Sequence, residues 1–164
     1  TSIVKALADN LPSRSITVKV RTGWDEKNPT THKLIPHLQT TAPGRIAAIM
    51  IHGRSRLQRY HKLADWNYIL RCAQSQDPTK PLVPIIGNGD IFSWEDWESH
   101  RTMMSDEIIS DATYENNTEL LGLTSCAMLG RGILIKPWLP KELKEKQTYD
   151  ISASERLEML QRFW

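Results

Sequence analysis

Four short segments, each just after an apolar run, carry the residue types in this chain that are best suited to holding a ligand. They are Val18-Lys19-Val20-Arg21-Thr22-Gly23, His52-Gly53-Arg54-Ser55-Arg56, Gly87-Asn88-Gly89-Asp90 and Gly130-Arg131-Gly132. Lysine and arginine donate to anions, asparagine and histidine donate or accept hydrogen bonds, and glycine lets backbone amides approach a ligand closely. Together these residue types predict a site for a ligand that bears a phosphate group.

Lys19 and His52 are the candidates for direct contact with such a ligand. Lys19 lies between Val18 and Val20, and a lysine flanked by buried positions is costly to bury unless it meets an anion. The alternative is a strand residue that faces solvent. His52 ends an apolar run and precedes Gly53, which suits an imidazole at a crevice, although a core histidine bonded to one carbonyl has the same pattern.

Two glycine-rich turns favour a phosphate. In 87–90 and in 130–132 the backbone amides can point together, and Arg131 adds a bidentate donor. The first turn alone would also fit an ordinary connection between elements. Barrels often hold a phosphate in the loops after their last strands, so the pair favours a phosphate-bearing cofactor in a barrel. The first turn lacks GxGxxG, which argues against a doubly wound dinucleotide-binding fold.

The elements that would position these segments alternate between strand and helix. Apolar runs predict strands at 15–20, 45–51, 82–86 and 124–129, the third being weakened by Pro84. Helices are predicted around 34–38, after the N-cap Asp65, after the capping boxes at 93–96 and 152–155, and over 136–146. The segments recur at intervals near the roughly 30 residues of one βα unit in a barrel of about 250 residues. This alternation predicts an α/β fold with a parallel sheet.

Composition limits the function classes. The chain has 164 residues, of which 40% are hydrophobic and 24% charged, which is typical of a globular domain. A net charge of +2 is too small to indicate a nucleic-acid partner by itself. Cys72 and Cys126 lack CxxC spacing, so we expect two buried thiols and no metal site. Without an apolar run of membrane-spanning length, we expect a soluble protein of the cytoplasm, the nucleus or both.

Taken with their order, the motifs resemble those of the tRNA-dihydrouridine synthases, flavin enzymes built on a TIM barrel. The phrases VKVRTGWDEKNPT, HGRSRLQRYHKLADW, IIGNGDIFSWEDW and LGRGILIKPWL are most similar to the eukaryotic tRNA-dihydrouridine(47) synthase subfamily. The resemblance implies that residues 1–147 are the C-terminal half of a TIM (β/α)8 barrel, strands 5 to 8. The polar, acidic composition of the stretch at about 105–122 predicts a mobile loop insertion, which departs from the family pattern. The resemblance implies that residues 148–164 begin an all-α, tRNA-binding domain.

The resemblance also implies a role for each motif residue. Lys19 and His52 match residues that contact FMN in this family. Five others match the segments that hold the ribityl phosphate of FMN: Asn88, Gly89, Asp90, Gly130 and Arg131. Four arginines are expected on the same face, where they would meet RNA phosphates or lie as solvated surface residues: Arg21, Arg54, Arg56 and Arg59.

The implied activity is the reduction of a uridine in tRNA to 5,6-dihydrouridine, with NADPH as reductant, FMN as carrier and mRNA as a further RNA partner. In the family a cysteine that follows the fourth strand is the general acid, so we expect it upstream of Thr1 and expect this chain alone to be inactive. A half barrel would also self-associate through its open sheet edges. The alternative is a non-catalytic module that binds RNA or a protein partner.

Overall fold

The computed structural model describes residues 1–110, 121–122 and 124–163. Its strands are β1 (Ile16–Arg21), β2 (Ile46–His52), β3 (Ile85–Asn88) and β4 (Ala127–Met128), which form one sheet in the order β1-β2-β3-β4. All three pairings are parallel, so strand ends of the same kind lie at the same edge. The α/β fold predicted from the sequence is confirmed, and sequential parallel strands are consistent with part of a TIM barrel.

Helices precede, connect and follow the strands. Their bounds are α1 (Ser2–Asn10), α2 (Thr31–Thr41), α3 (Trp66–Gln74), α4 (Trp94–Ser110), α5 (Arg131–Ile135), α6 (Leu139–Glu145) and α7 (Ala153–Phe163). The core lies between the sheet and α2, α3 and α4, where Ile49 and Ile51 of β2 are completely buried against residues such as Ile69 and Ile108. None of the described helices has the length and apolar character that a membrane crossing requires.

Local sequence signals correctly predicted where most of these helices begin. The Asp65 carboxylate accepts a hydrogen bond from the Tyr68 amide at 2.8 Å, which confirms this N-cap. In the first capping box the Asp96 amide donates to Ser93 Oγ at 3.1 Å and the Ser93 amide donates to Asp96 Oδ2 at 3.0 Å. The box of Ser152 and Glu155 at the start of α7 has the same reciprocal bonds.

Proline explains two differences from the prediction. The third strand begins at Ile85, after Pro84, and Pro84 contributes only its carbonyl, which accepts from the Ile49 amide at 2.9 Å. The helix predicted over 136–146 is present as α6 but begins only at Leu139, and the separate short helix α5, which was not predicted, precedes it. Because Pro137 disfavours a helical conformation at the preceding residue, Lys136 is extended and ends α5.

Two further predictions are corrected. Residues 105–110, expected in an acidic loop, form the last turns of α4, since Met104 and Ile108 are one helical turn apart and both buried in the core. Residues 111–120 of that predicted insertion lie outside the described residues. Cys126 is exposed, whereas Cys72 is buried as expected.

Candidate functional site

A cavity of about 430 Å³ opens where the four strands end. Its size lies within the range of small-molecule and cofactor sites. All seven residues predicted to contact a cofactor line it: Lys19, His52, Asn88, Gly89, Asp90, Gly130 and Arg131. The sheet brings them together because parallel strands present their carboxyl ends at one edge. That these residues hold a cofactor stays a prediction.

Lys19 is held in place by Asn88. Its Nζ donates to Asn88 Oδ1 at 2.9 Å, while Asn88 Nδ2 donates to the carbonyl of Met128 at 2.8 Å. Burial, followed by the nearby charge of Arg21, lowers the pKa of Lys19 from its ordinary value. An ammonium group has three donors, so hydrogen bonds between described residues leave two of them for a ligand.

His52 is a neutral group at this edge. Burial, then the charges of Arg21 and Lys19, lowers the pKa of His52 to about 4. Its Nε2 lies 3.5 Å from Arg54 Nη1, close enough to accept a long hydrogen bond. Gly89 passes beside the ring, since a Cβ there would lie 3.2 Å from His52 Cδ2. At neutral pH His52 can therefore offer a hydrogen bond to a ligand without adding a positive charge.

Asp90 organises two arginines. Its carboxylate accepts from Arg54 Nη2 at 2.6 and 2.8 Å and from the Ala64 amide at 2.7 Å, and Arg131 Nη2 lies 3.6 Å away. Arg54 is only 3% exposed and also donates from Nε to the carbonyl of Lys62. Arg54 therefore lies at the same edge as Lys19 and His52, but it is buried and paired with Asp90 and is neither solvated nor free to meet RNA phosphates.

Arg131 is the accessible cation of the second glycine-rich turn. Its side chain is about half exposed, and its guanidinium lies 4.1 Å from the ring centroid of Tyr60 and 5.6 Å from that of Phe92. Tyr60 and Phe92 line the cavity but were missed from the sequence, as was Met128. The two aromatic residues lie in irregular segments, so no periodic pattern marked them.

The glycines of the second turn have different roles. A Cβ at Gly132 would clash with the carbonyl of Ile91, so a side chain is excluded there by backbone packing. A Cβ at Gly130 would meet only Asn88 Nδ2, at 3.8 Å, so Gly130 borders open space at the cavity. The backbone at Gly130 is thus accessible to a ligand that enters beside Arg131.

The remaining arginines divide between the cavity and the surface. Arg21 lines the cavity and donates from Nη1 to the carbonyl of Ser55 at 2.9 Å. Arg56 and Arg59 are exposed in the segment after β2 and are not among the lining residues. Of the four arginines expected on the same face to meet RNA phosphates or solvent, only these two are fully at the surface.

The charge of the cavity fits a phosphate-bearing ligand such as FMN. Its described lining contains four cationic side chains, Lys19, Arg21, Arg54 and Arg131, but the single carboxylate of Asp90. An excess of positive charge in a partly enclosed cavity favours an anion. Within the described ranges, no cluster of histidine, cysteine and acidic side chains is arranged to hold a metal ion.

Comparisons with known proteins place the chain in a family. The family model described as Dihydrouridine synthase (Dus) matches residues 1–162. A human protein named tRNA-dihydrouridine(47) synthase (NAD(P)(+))-like is 43% identical over 148 residues, which are 90% of this chain and 19% of the relative. The tRNA-dihydrouridine(47) synthase (NAD(P)(+)) of Coprinopsis cinerea is 40% identical over 167 residues, covering 98% of this chain and 22% of the relative. The chain thus spans about a fifth of the length of these relatives. It belongs to the dihydrouridine synthase family, and the resemblance found in its motifs is confirmed.

Proposed function

We propose that this chain is the part of a tRNA-dihydrouridine synthase that holds the phosphate end of FMN and one edge of its ring. The family match and the names of the relatives support the reaction class, an oxidoreductase that forms dihydrouridine in tRNA. The observation that carries the proposal is the meeting of Lys19, His52 and Arg131 in one cation-rich cavity. In this proposal the four strands are strands 5 to 8 of the barrel, and 148–164 begin a helical domain that binds tRNA.

Different residues of the cavity would hold different parts of the cofactor. Arg131 and the backbone at Gly130 would hold the phosphate, since this guanidinium is accessible and the glycine leaves open space. Lys19 would stabilise the negative charge that the flavin ring gains on reduction, an effect that is stronger in a partly buried site than in water. FMN itself would supply the transfer of reducing equivalents from NADPH to the uridine.

The described lining offers no general acid of the expected type. Cys72 packs in the core, where burial raises its pKa to about 12, and Cys126 is exposed away from the cavity. A thiol with a raised pKa remains protonated and is inert as a thiolate. If the general acid is a cysteine, as the resemblance to the family implies, it is not one of the described residues that line this cavity.

The test compares FMN with riboflavin, which lacks only the phosphate. We expect flavin fluorescence titration to show binding of FMN to the chain, with a preference over riboflavin. Arg131→Met should reduce that preference by about 10- to 100-fold, because a charge-assisted hydrogen bond is lost. Lys19→Met should weaken the binding of both flavins by a similar factor, because Lys19 is proposed to contact the ring that they share.

Matched controls separate these effects from general loss of charge. Arg101→Met removes an arginine of similar exposure from α4, and Lys5→Met removes an exposed lysine from α1. Both should leave flavin affinity unchanged. A colourless chain that binds neither flavin but still binds tRNA would refute the cofactor site and support the non-catalytic module instead.

A further inference from the structure

An exposed tryptophan lies in the segment that follows β1. Trp24 is 62% exposed, and the guanidinium of Arg56 lies 4.8 Å from its ring centroid. Tryptophan buries more apolar area than other side chains when it finds a partner, so a largely exposed indole is a binding group available to a ligand. The cation adds an anion-binding group beside the ring.

Backbone hydrogen bonds fix the position of this indole. The Arg56 amide donates to the carbonyl of Gly23, and the Leu57 amide donates to the carbonyl of Trp24, both at 3.0 Å. Gly23 has a φ of +159° and sits so close to Asn28 that a Cβ would lie 3.2 Å from its carbonyl oxygen. The two segments after β1 and β2 are thus joined, and Trp24 is presented to solvent on an ordered backbone.

The same two segments form part of the cavity wall. Arg21 and Arg54 line the cavity, and the Thr22 amide donates to the carbonyl of Arg54 at 3.3 Å. Tyr60, in the second segment, also lines the cavity. Trp24 and Arg56 therefore lie only two or three residues along the chain from Arg21 and Arg54 of the cavity wall.

The charges around the pair favour an anionic partner. Arg56 and Arg59 are exposed cations. The nearby acidic side chains are already engaged: Glu26 pairs with Lys62 at 2.9 Å, and Asp25 Oδ1 accepts from two backbone amides at 2.8 and 2.9 Å. A flat ring beside an exposed cation suits a nucleotide, whose base stacks on the ring and whose phosphate meets the guanidinium.

We infer that Trp24 and Arg56 form a stacking platform for an unpaired RNA base near the cavity. The inference rests on the proposed function, and it adds a site on the protein for the RNA around the reacting uridine. A uridine that enters the cavity has to leave the stack of its neighbours. A neighbouring base then loses a stacking partner, and the indole of Trp24 replaces it.

The experiment measures binding of fluorescein-labelled single-stranded RNA to the chain by anisotropy. The probes are a short oligouridine and a strand of equal length and charge made of abasic nucleotides. Trp24→Ala should weaken oligouridine binding by about 5- to 100-fold, the effect of one stacked base, and leave the abasic strand unchanged. Trp24→Phe should retain part of the affinity, and Leu63→Ala, which removes another exposed apolar side chain from the second segment, should retain all of it.

Each outcome decides the inference. Equal losses on the two strands, no loss with Trp24→Ala, or failure of the unaltered chain to bind oligouridine would overturn it. An effect of Trp24→Ala on self-association, seen by sedimentation without any effect on RNA, would assign the surface to a protein contact and overturn it as well. FMN affinity measured on the same variant should be unchanged, so that loss of the platform and failure of the flavin site give different results.

Discussion

The ammonium group of Lys19 donates a hydrogen bond to the side-chain oxygen of Asn88 over 2.9 Å, across 69 residues of chain. Lys19 belongs to β1 and Asn88 to β3, which are separated by β2 in the sheet. Asn88 also donates to the carbonyl of Met128 in β4. The nearly buried side-chain amide of Asn88 thus links β1 and β4, the two outer strands, at the edge where the cavity opens.

Replacing Asn88 should therefore affect both stability and the site. Asn88→Ala removes the acceptor of Lys19 and the donor to Met128, so we expect urea unfolding to show a loss of about 1–3 kcal/mol in unfolding free energy. FMN affinity should fall because Lys19 is no longer held. Asn10→Ala, which removes an exposed asparagine, should change neither quantity, and equal effects of the two substitutions would contradict this account.

Asp90 should be one of the most sensitive positions of the chain. Asp90→Asn leaves the buried guanidinium of Arg54 without its counter-charge, so we expect a loss of about 3–5 kcal/mol in unfolding free energy. Glu26→Gln breaks an exposed pair with Lys62 and should cost no more than about 1 kcal/mol. Chemical denaturation of the two variants measures the difference. Similar, small losses would show that Arg54 reaches solvent.

The stability of the chain should depend on pH through His52. Its folded-state pKa of about 4 is below the ordinary 6.5, so on acidification the unfolded chain takes up the proton first. The contribution of neutral His52 is complete above about pH 6.5 and is lost as the pH falls towards 4. We expect His52→Gln to lose less stability than the unaltered chain across this interval, as measured by urea midpoints.

Two features make that comparison specific. His32 and His100, whose pKa values are also lowered chiefly by burial, remain in both proteins and contribute equally. His37→Gln removes an exposed histidine and should keep the pH dependence of the unaltered chain. If His52→Gln shows that same dependence, the imidazole is solvated in the folded chain.

Gly87 should not tolerate a side chain. A Cβ at Gly87 would clash with the six-membered ring of Trp66, whose Nε1 donates to the carbonyl of Gly89 at 3.0 Å. Gly87→Ala should cost about 1–3 kcal/mol of unfolding free energy and weaken FMN binding, because the turn that carries Asn88 has to move. Gly122→Ala, at a position with open space around its Cβ, is the control. Unaltered stability of Gly87→Ala would mean that Trp66 moves aside without cost.

Most of the secondary structure could be predicted because its signals are local. The apolar run at 45–51 and the caps at Asp65, Ser93 and Ser152 act within a few residues, and the structure has them as expected. Proline shifted the start of β3 and the start of the helix predicted over 136–146, through its missing amide and its effect on the preceding residue. The exposure of Cys126 was not predictable from the strand signal around it.

The candidate site was predictable as a set of strand ends but not as a set of contacts. Repeated strand and helix signals place Lys19, His52 and Arg131 at one edge, because parallel strands end on the same side. The burial of Arg54, its pairing with Asp90 and the aromatic support of Arg131 depend on distances between segments far apart in the chain. No local pattern encodes such distances. The residue types and their order carry the family and the general location of the site, whereas packing determines which arginine is compensated inside the protein and which is free to meet a ligand.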